Sequence, residues 1–199
     1  MVVRLAFVAC AASIMGCSGG GSTPQPLART LDAAAVAQAA LQEYDKNKNG
    51  SIEGAELDAC PALKYAMAAI DKNNDQKLSA AEIEKRVAGY PPRHIGISCE
   101  VTLDGKLLPG ATVIFEPEKF MGSSFKTATA TTDRDGQAGV FQLDRGSVAE
   151  LPAGFYRIRI TKEGTKIPAR YNTQTTLGRE IAVEPRQEDV RMEFALTSR

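Results

Sequence analysis

Asp45-Lys46-Asn47-Lys48-Asn49-Gly50-Ser51-Ile52-Glu53-Gly54-Ala55-Glu56 carries an oxygen-bearing side chain at its first, third, fifth, seventh, ninth and twelfth positions and a glycine at its sixth. A twelve-residue loop with that spacing suits calcium, a hard cation that takes six to eight oxygen ligands. The expected ligands are Asp45, Asn47, Asn49, the Ser51 carbonyl, Glu53 (directly or through water) and a bidentate Glu56. Gly50 stands where the chain must turn sharply, and Ile52 where paired loops exchange backbone hydrogen bonds.

Further on, Asp71-Lys72-Asn73-Asn74-Asp75-Gln76-Lys77-Leu78-Ser79-Ala80-Ala81-Glu82 repeats the pattern. Its expected ligands are Asp71, Asn73, Asp75, the Lys77 carbonyl, Ser79 through water and Glu82. Gln76 replaces the turning glycine, and a side chain held at positive φ costs about 1 kcal/mol. The flanks repeat as well: Leu41 and Tyr44 precede the first loop as Met67 and Ile70 precede the second, and Leu57 follows the first as Ile83 follows the second. Two such loops with matching flanks resemble an EF-hand pair, which implies two bound calcium ions.

Outward from the loops, residues 30–89 have helical spacing. Leu31, Val36, Ala40, Leu41 and Tyr44 share one face, with Thr30 as the expected N-cap. Leu63, Ala66, Met67 and Ile70 form a second apolar stripe behind Pro61, and Ile83 and Val87 a third. The short distance between the loops requires brief helices there. Gly89 and Tyr90-Pro91-Pro92 end the helical pattern, so a domain boundary with a hinge over 90–94 is expected.

From residue 95 to 199 the period changes to two. Ile95, Ile97, Cys99, Val101 and Leu103 alternate with smaller or polar residues, and Asp104-Gly105 follows as a turn. Further strands are expected around Val113 and Phe115 and over 125–132, 139–143, 155–161, 179–184 and 190–196. Tyr156, Ile158 and Ile160 should face one way, with Phe155, Arg157 and Arg159 facing the other. Val190, Met192, Phe194 and Leu196 should point inward. The expected fold class is α+β in two domains, a helical pair of loops followed by a seven-stranded antiparallel β-sandwich.

Val101-Thr102-Leu103-Asp104-Gly105-Lys106-Leu107-Leu108-Pro109-Gly110-Ala111-Thr112-Val113 resembles the opening of carboxypeptidase-regulatory-like, or transthyretin-like (prealbumin-like), β-sandwich domains. Thr131-Thr132-Asp133-Arg134-Asp135-Gly136 and Pro152-Ala153-Gly154-Phe155-Tyr156-Arg157-Ile158 share that resemblance. Ile167-Pro168-Ala169-Arg170-Tyr171-Asn172 is similar to a segment of bacterial lipoproteins of this kind. The resemblance implies a fold and little about function. Asp133-Arg134-Asp135-Gly136 reads as a hairpin turn rather than a third calcium loop, even though Asp144 stands at the twelfth position counted from Asp133.

At the N-terminus, Arg4 precedes an apolar run from Leu5 to Met15 that is too short to span a bilayer. Ile14-Met15-Gly16-Cys17 resembles the lipobox of bacterial lipoproteins, which implies a signal peptide over 1–16 and a lipidated Cys17. Residues 17–29 form a Gly/Ser/Pro-containing linker suited to a tether. The expected location is therefore the bacterial cell envelope, exported and anchored to a membrane through lipid. External calcium does not pulse as cytosolic calcium does, so the ions are expected to stabilise rather than signal. Cys60 and Cys99 are either a disulfide or two buried thiols.

Lys plus Arg equals Asp plus Glu, at 24 each, which excludes the basic field a nucleic-acid partner would need. The chain has a single histidine, His94, too few for the histidine-containing site of transthyretin-like hydrolases. No phosphate-binding glycine loop or serine elbow is present, so no enzyme activity is expected. The expected roles are a structural or partner-binding β domain, with an envelope protein or a glycan as partner, or alternatively a calcium-switched recognition module. A switch would need a Met-rich groove, and Met67 stands alone.

Overall fold

A computed structural model describes residues 31–143, 146–182 and 189–199. Among these, four α-helices precede an array of strands, giving a mixed α+β fold. The expected signal peptide, Cys17, the linker, Thr30 and Asp144 lie outside the described residues, as do residues 183 and 184 of one expected strand.

Helix α1 (Ala33–Tyr44) begins two residues later than a Thr30 cap would place it. Asp32 is its N-cap, its carboxylate accepting from the Ala35 N–H at 3.0 Å. A short strand β1 (Ser51–Glu53) and a five-residue helix α2 (Ala55–Ala59) follow. Pro61 opens α3 (Pro61–Ile70), where its missing N–H costs nothing. Strand β2 (Lys77–Ser79) leads into α4 (Ala80–Ala88), whose start is fixed by a capping box between Ser79 and Glu82.

The remaining strands are β3 (His94–Leu103), β4 (Lys106–Leu107), β5 (Thr112–Pro117), β6 (Ala128–Thr131), β7 (Gln137–Ala138), β8 (Phe141–Leu143), β9 (Gly146–Val148), β10 (Glu150–Pro152), β11 (Gly154–Thr161), β12 (Gly178–Ile181) and β13 (Asp189–Leu196). One sheet has β3 at its centre, between β10 and β13, with β4 and β7 also paired to β3. The other runs in the order β12-β11-β5-β6-β8-β9. Phe115 on β5 and Phe194 on β13 meet edge to face at 6.4 Å, so the two sheets share a core. No described helix is long and apolar enough to cross a membrane.

Three details depart from the seven-strand expectation. β13 runs parallel to β3 over its whole length, from Asp189 opposite Gly96 to Leu196 opposite Leu103. Alternation assigns faces but reads the same in either direction, so it carries no sign of the parallel pairing. The strand expected over 139–143 is shortened to β8, and an unexpected strand β7 precedes it: β7 pairs with β3 and β8 with β6, the chain changing sheets at Gly139 and Val140. The strand expected from Phe125 starts at Ala128, because a 3₁₀ turn (Lys119–Met121) and Gly122 at φ 85° bend the chain before it.

Asp133-Arg134-Asp135-Gly136 is a turn. Asp133 Oδ1 accepts from the N–H groups of Asp135 and Gln137 at 2.9 and 3.0 Å. Cys60 and Cys99 are both free and buried, which resolves the cysteine alternatives toward two packed thiols. Burial pushes both thiols upward, Cys99 to about 12. His94 is exposed and opens β3 opposite Pro152 rather than lying in a connecting segment.

Candidate calcium sites

Each loop is entered from a helix whose last turn fixes the first expected ligand. The Asp45 N–H donates to Leu41 O at 2.9 Å, and the Asp71 N–H to Met67 O at 2.8 Å. The aspartates then organise their loops in the same way. Asp45 accepts from the N–H groups of Asn49 and Gly50 at 3.1 and 2.9 Å, and Asp71 from those of Asp75 and Gln76 at 3.3 and 2.9 Å. At the third position Asn47 Oδ1 accepts from the Asn49 N–H at 2.9 Å, and Asn73 Oδ1 from the Asp75 N–H at 3.0 Å. At the fifth, Asn49 Oδ1 accepts from the Ser51 N–H at 3.0 Å, and Asp75 Oδ1 from the Lys77 N–H at 2.9 Å.

The closing glutamates match too. Glu56 Oε1 accepts from the N–H groups of Lys46 and Asn47, and its Oε2 from that of Glu53 at 3.2 Å. Glu82 Oε1 accepts from the Lys72 N–H at 3.3 Å and its Oε2 from the Ser79 N–H at 3.1 Å. The backbone follows the same path, with positive φ at Lys48 and Gly50 in one loop and at Asn74 and Gln76 in the other. Gln76 therefore accepts the left-handed conformation, at φ 63°, that its sequence position requires. β1 and β2 pair antiparallel through Ser51 opposite Ser79, Ile52 opposite Leu78 and Glu53 opposite Lys77, with Ile52 and Leu78 fully buried between the loops.

These bonds aim carboxylate and amide oxygens into each loop while leaving them further acceptor capacity, as outer-shell contacts do for metal ligands. Asp45, Asn47, Asn49, the Ser51 carbonyl and Glu56 are arranged in one loop, and Asp71, Asn73, Asp75, the Lys77 carbonyl and Glu82 in the other. Among the described residues no group of three or more His, Cys, Asp or Glu side chains gathers as a metal site. Each loop's donor set is instead mixed, with amide and backbone oxygens that suit a hard cation.

The ninth positions differ from a simple ligand role. Glu53 Oε1 accepts from Asn49 Nδ2 at 2.7 Å, and its Oε2 is ion-paired with Lys77 Nζ at 2.7 Å across the β1–β2 ladder. Lys77, expected to supply only a carbonyl, thus ties the two loops together and holds the Glu53 carboxyl below its usual range. Ser79 donates its hydroxyl to Glu82 Oε2 at 2.7 Å, so it supports a ligand directly.

The helices around both loops are fixed to the β12-β11-β5 face. Tyr44, beside the first ligand, donates its hydroxyl to Glu118 Oε2 at 2.9 Å. Arg157 on β11 lies with its Nε 3.5 Å from Glu118 Oε1 and donates to Ala59 O at 2.9 Å, at the end of α2. One carboxylate–guanidinium pair therefore holds both helices of the first loop. Glu118 is only 4% exposed, and burial drives its carboxyl above the usual range against the opposing pull of Arg157 and Tyr44. Burial also raises the Tyr44 hydroxyl, which favours its role as a donor.

Around the second loop, α3 rests directly on β12: a Cβ added at Gly178 would stand 2.1 Å from the Pro61 carbonyl carbon. Arg179 stacks over Tyr65 of α3 at 4.6 Å and over Phe194 at 4.7 Å. Arg86 of α4 makes a forked pair with buried Glu180 at 2.6 and 3.0 Å, and Tyr90 donates to the same carboxylate at 2.6 Å. Phe155, on the face it shares with Arg157 and Arg159, is buried beneath Tyr90 and Phe120, at 5.9 and 5.8 Å between ring centroids. The sequence gives no signal for Glu118, Glu180 or Arg157 as supports, since each reads as an ordinary polar residue near or on a strand.

The sequence matches no model of a known protein family, and it matches no curated protein.

Proposed function

We propose that this chain is an exported calcium-binding protein of the bacterial envelope, anchored through lipid on Cys17, in which two ions brace a helical EF-hand module against a non-enzymatic, transthyretin-like β-sandwich. The sandwich serves as the structural or partner-binding part, facing an envelope protein or a glycan. The observation that carries the reading is the correspondence of the two loops, hydrogen bond by hydrogen bond, at their first, third, fifth and twelfth positions. Loops that merely turned at the surface would have no reason to repeat a scaffold that presents oxygens inward.

A stabilising role is favoured over a switch because all four helices beside the loops are held. Tyr44 ties α1 and Arg157 ties α2, while α3 lies on Gly178 and Arg86 ties α4. A sensor must swing such helices apart to open a groove, and here that motion would break buried polar pairs. Calcium bound only to the folded state stabilises it by about 2.7 kcal/mol at a hundredfold excess over Kd. Thermal melting in calcium and in chelator tests the reading: a higher melting temperature in calcium is expected. Identical melts in the two conditions would refute it.

A further inference from the structure

The two loops share a scaffold but place their charges differently. At the fifth position the first loop has Asn49 and the second Asp75; at the ninth the first has Glu53 and the second Ser79. In the second loop all three carboxylates, Asp71, Asp75 and Glu82, stand where a direct bond to the ion is expected. In the first, only Asp45 and Glu56 do. Its third carboxylate, Glu53, is committed elsewhere, with one oxygen 2.7 Å from Asn49 Nδ2 and the other 2.7 Å from Lys77 Nζ.

The ninth residues also differ in what they do for the closing glutamate. Ser79 donates its hydroxyl to Glu82 Oε2 at 2.7 Å, and the capping box that it forms fixes the start of the nine-residue α4. Glu53 offers Glu56 only its backbone N–H, at 3.2 Å, and the five-residue α2 starts after Gly54 with no side-chain cap. Calcium affinity in such loops follows ligand charge and site rigidity. Both favour the second loop.

Gln76 alone would argue for the opposite order. Its left-handed backbone, however, is held by the protein itself. The Gln76 N–H donates to Asp71 Oδ2 at 2.9 Å, as the Gly50 N–H donates to Asp45 Oδ2 at 2.9 Å. Two residues on, Leu78 is fully buried in the β1–β2 ladder. The strain at φ 63° therefore falls on the stability of the fold rather than on the capture of an ion.

We propose that the second loop is the tighter calcium site and fills first, and that Lys77 sets this order by holding Glu53 away from the first site. The proposal rests on reading both loops as calcium sites. Lys77 belongs to the second loop through its backbone and acts on the first through its side chain. The ammonium also interacts with Asp75, more weakly than with Glu53, so its removal should change the second loop less than the first.

The test is an amide-shift titration of the full chain with calcium chloride, which reads each loop separately. Resonances of residues 71–82 should saturate at severalfold lower free calcium than those of residues 45–56. Lys77→Met should narrow that gap by about two- to fivefold, the range of an exposed ion pair, by tightening the first loop; Lys77→Gln serves if the methionine variant misfolds. Asp75→Asn gives the second loop the first loop's fifth residue, and should narrow the gap from the other side by weakening the second loop. Saturation of the first loop ahead of the second, or of both together, would overturn the proposal, as would an unchanged gap in the Lys77 variants. Either result would leave the calcium reading standing, whereas calcium shifts in neither loop would remove both.

Discussion

Gly178→Ala tests how tightly the helices are seated. Gly178 lies on β12 opposite Arg157, and its bare Cα receives the first turn of α3. A methyl group there would stand 2.1 Å from the Pro61 carbonyl carbon, 2.2 Å from Ala62 N and 2.3 Å from Pro61 O. Ordinary carbon contacts begin near 3.5 Å, and the obstacle is backbone on both sides, so α3 must withdraw by more than an ångström. Overpacking of a core contact costs about 1–3 kcal/mol, and a rigid neighbour places this change at the upper end. For a chain of this size that corresponds to a fall in melting temperature of about 6–12 °C. Because α3 runs straight into Asp71, calcium binding in the second loop should weaken as well. The assay is calorimetric melting with and without calcium, using Gly139→Ala as control, since a Cβ there meets nothing closer than 3.9 Å. If Gly178→Ala melts with the control, α3 is not held by β12 in the way described.

Lys77→Met should tighten calcium binding at the first loop severalfold, by releasing Glu53 from its 2.7 Å ion pair to face the ion through water; calorimetric titration giving an unchanged first-site affinity would show the pair to be idle. Glu118 carries a pH dependence. Its carboxyl is raised in the folded state, chiefly by burial, so the fold holds its proton to higher pH than the unfolded chain does. Its stabilising contribution is full below the ordinary glutamate range near 4.3 and is lost as pH rises through the folded value. Glu118→Gln removes that dependence, so chemical denaturation across this range should show the variant gaining on the wild type as pH rises. A constant difference would refute the assignment.

The repeated geometry of the two loops was legible in the sequence because their oxygen-bearing residues occur at fixed offsets along one short segment, and local backbone bonds then reproduce the same scaffold twice. Even Gln76 follows its position rather than its own preference, at φ 63°. Strand positions were legible from alternation wherever one face met the core, as at Met192, Phe194 and Leu196. What pairs with what was less so: β13 beside β3 in parallel, and the change of sheet at Gly139, are decided by contacts distant in the chain. What covers the face of β11 with Phe155 and Arg157 was hidden for a related reason. Phe155 and Arg157 alternate as an outer face should, yet α1 and α3 lie near them and Tyr90 covers Phe155. Glu118 and Glu180 become supports through partners 74 and 94 residues away, a separation that no local pattern records.

The most direct measurement is calorimetric titration of the chain with calcium, repeated on Glu56→Gln and Glu82→Gln. Each variant removes one charge from a closing ligand while keeping an acceptor for the loop N–H groups that it gathers. Two ions should bind to the wild type, with each variant retaining one measurable site and losing the other. No heat of binding to the wild type, under conditions where it is folded, would contradict the account at its centre.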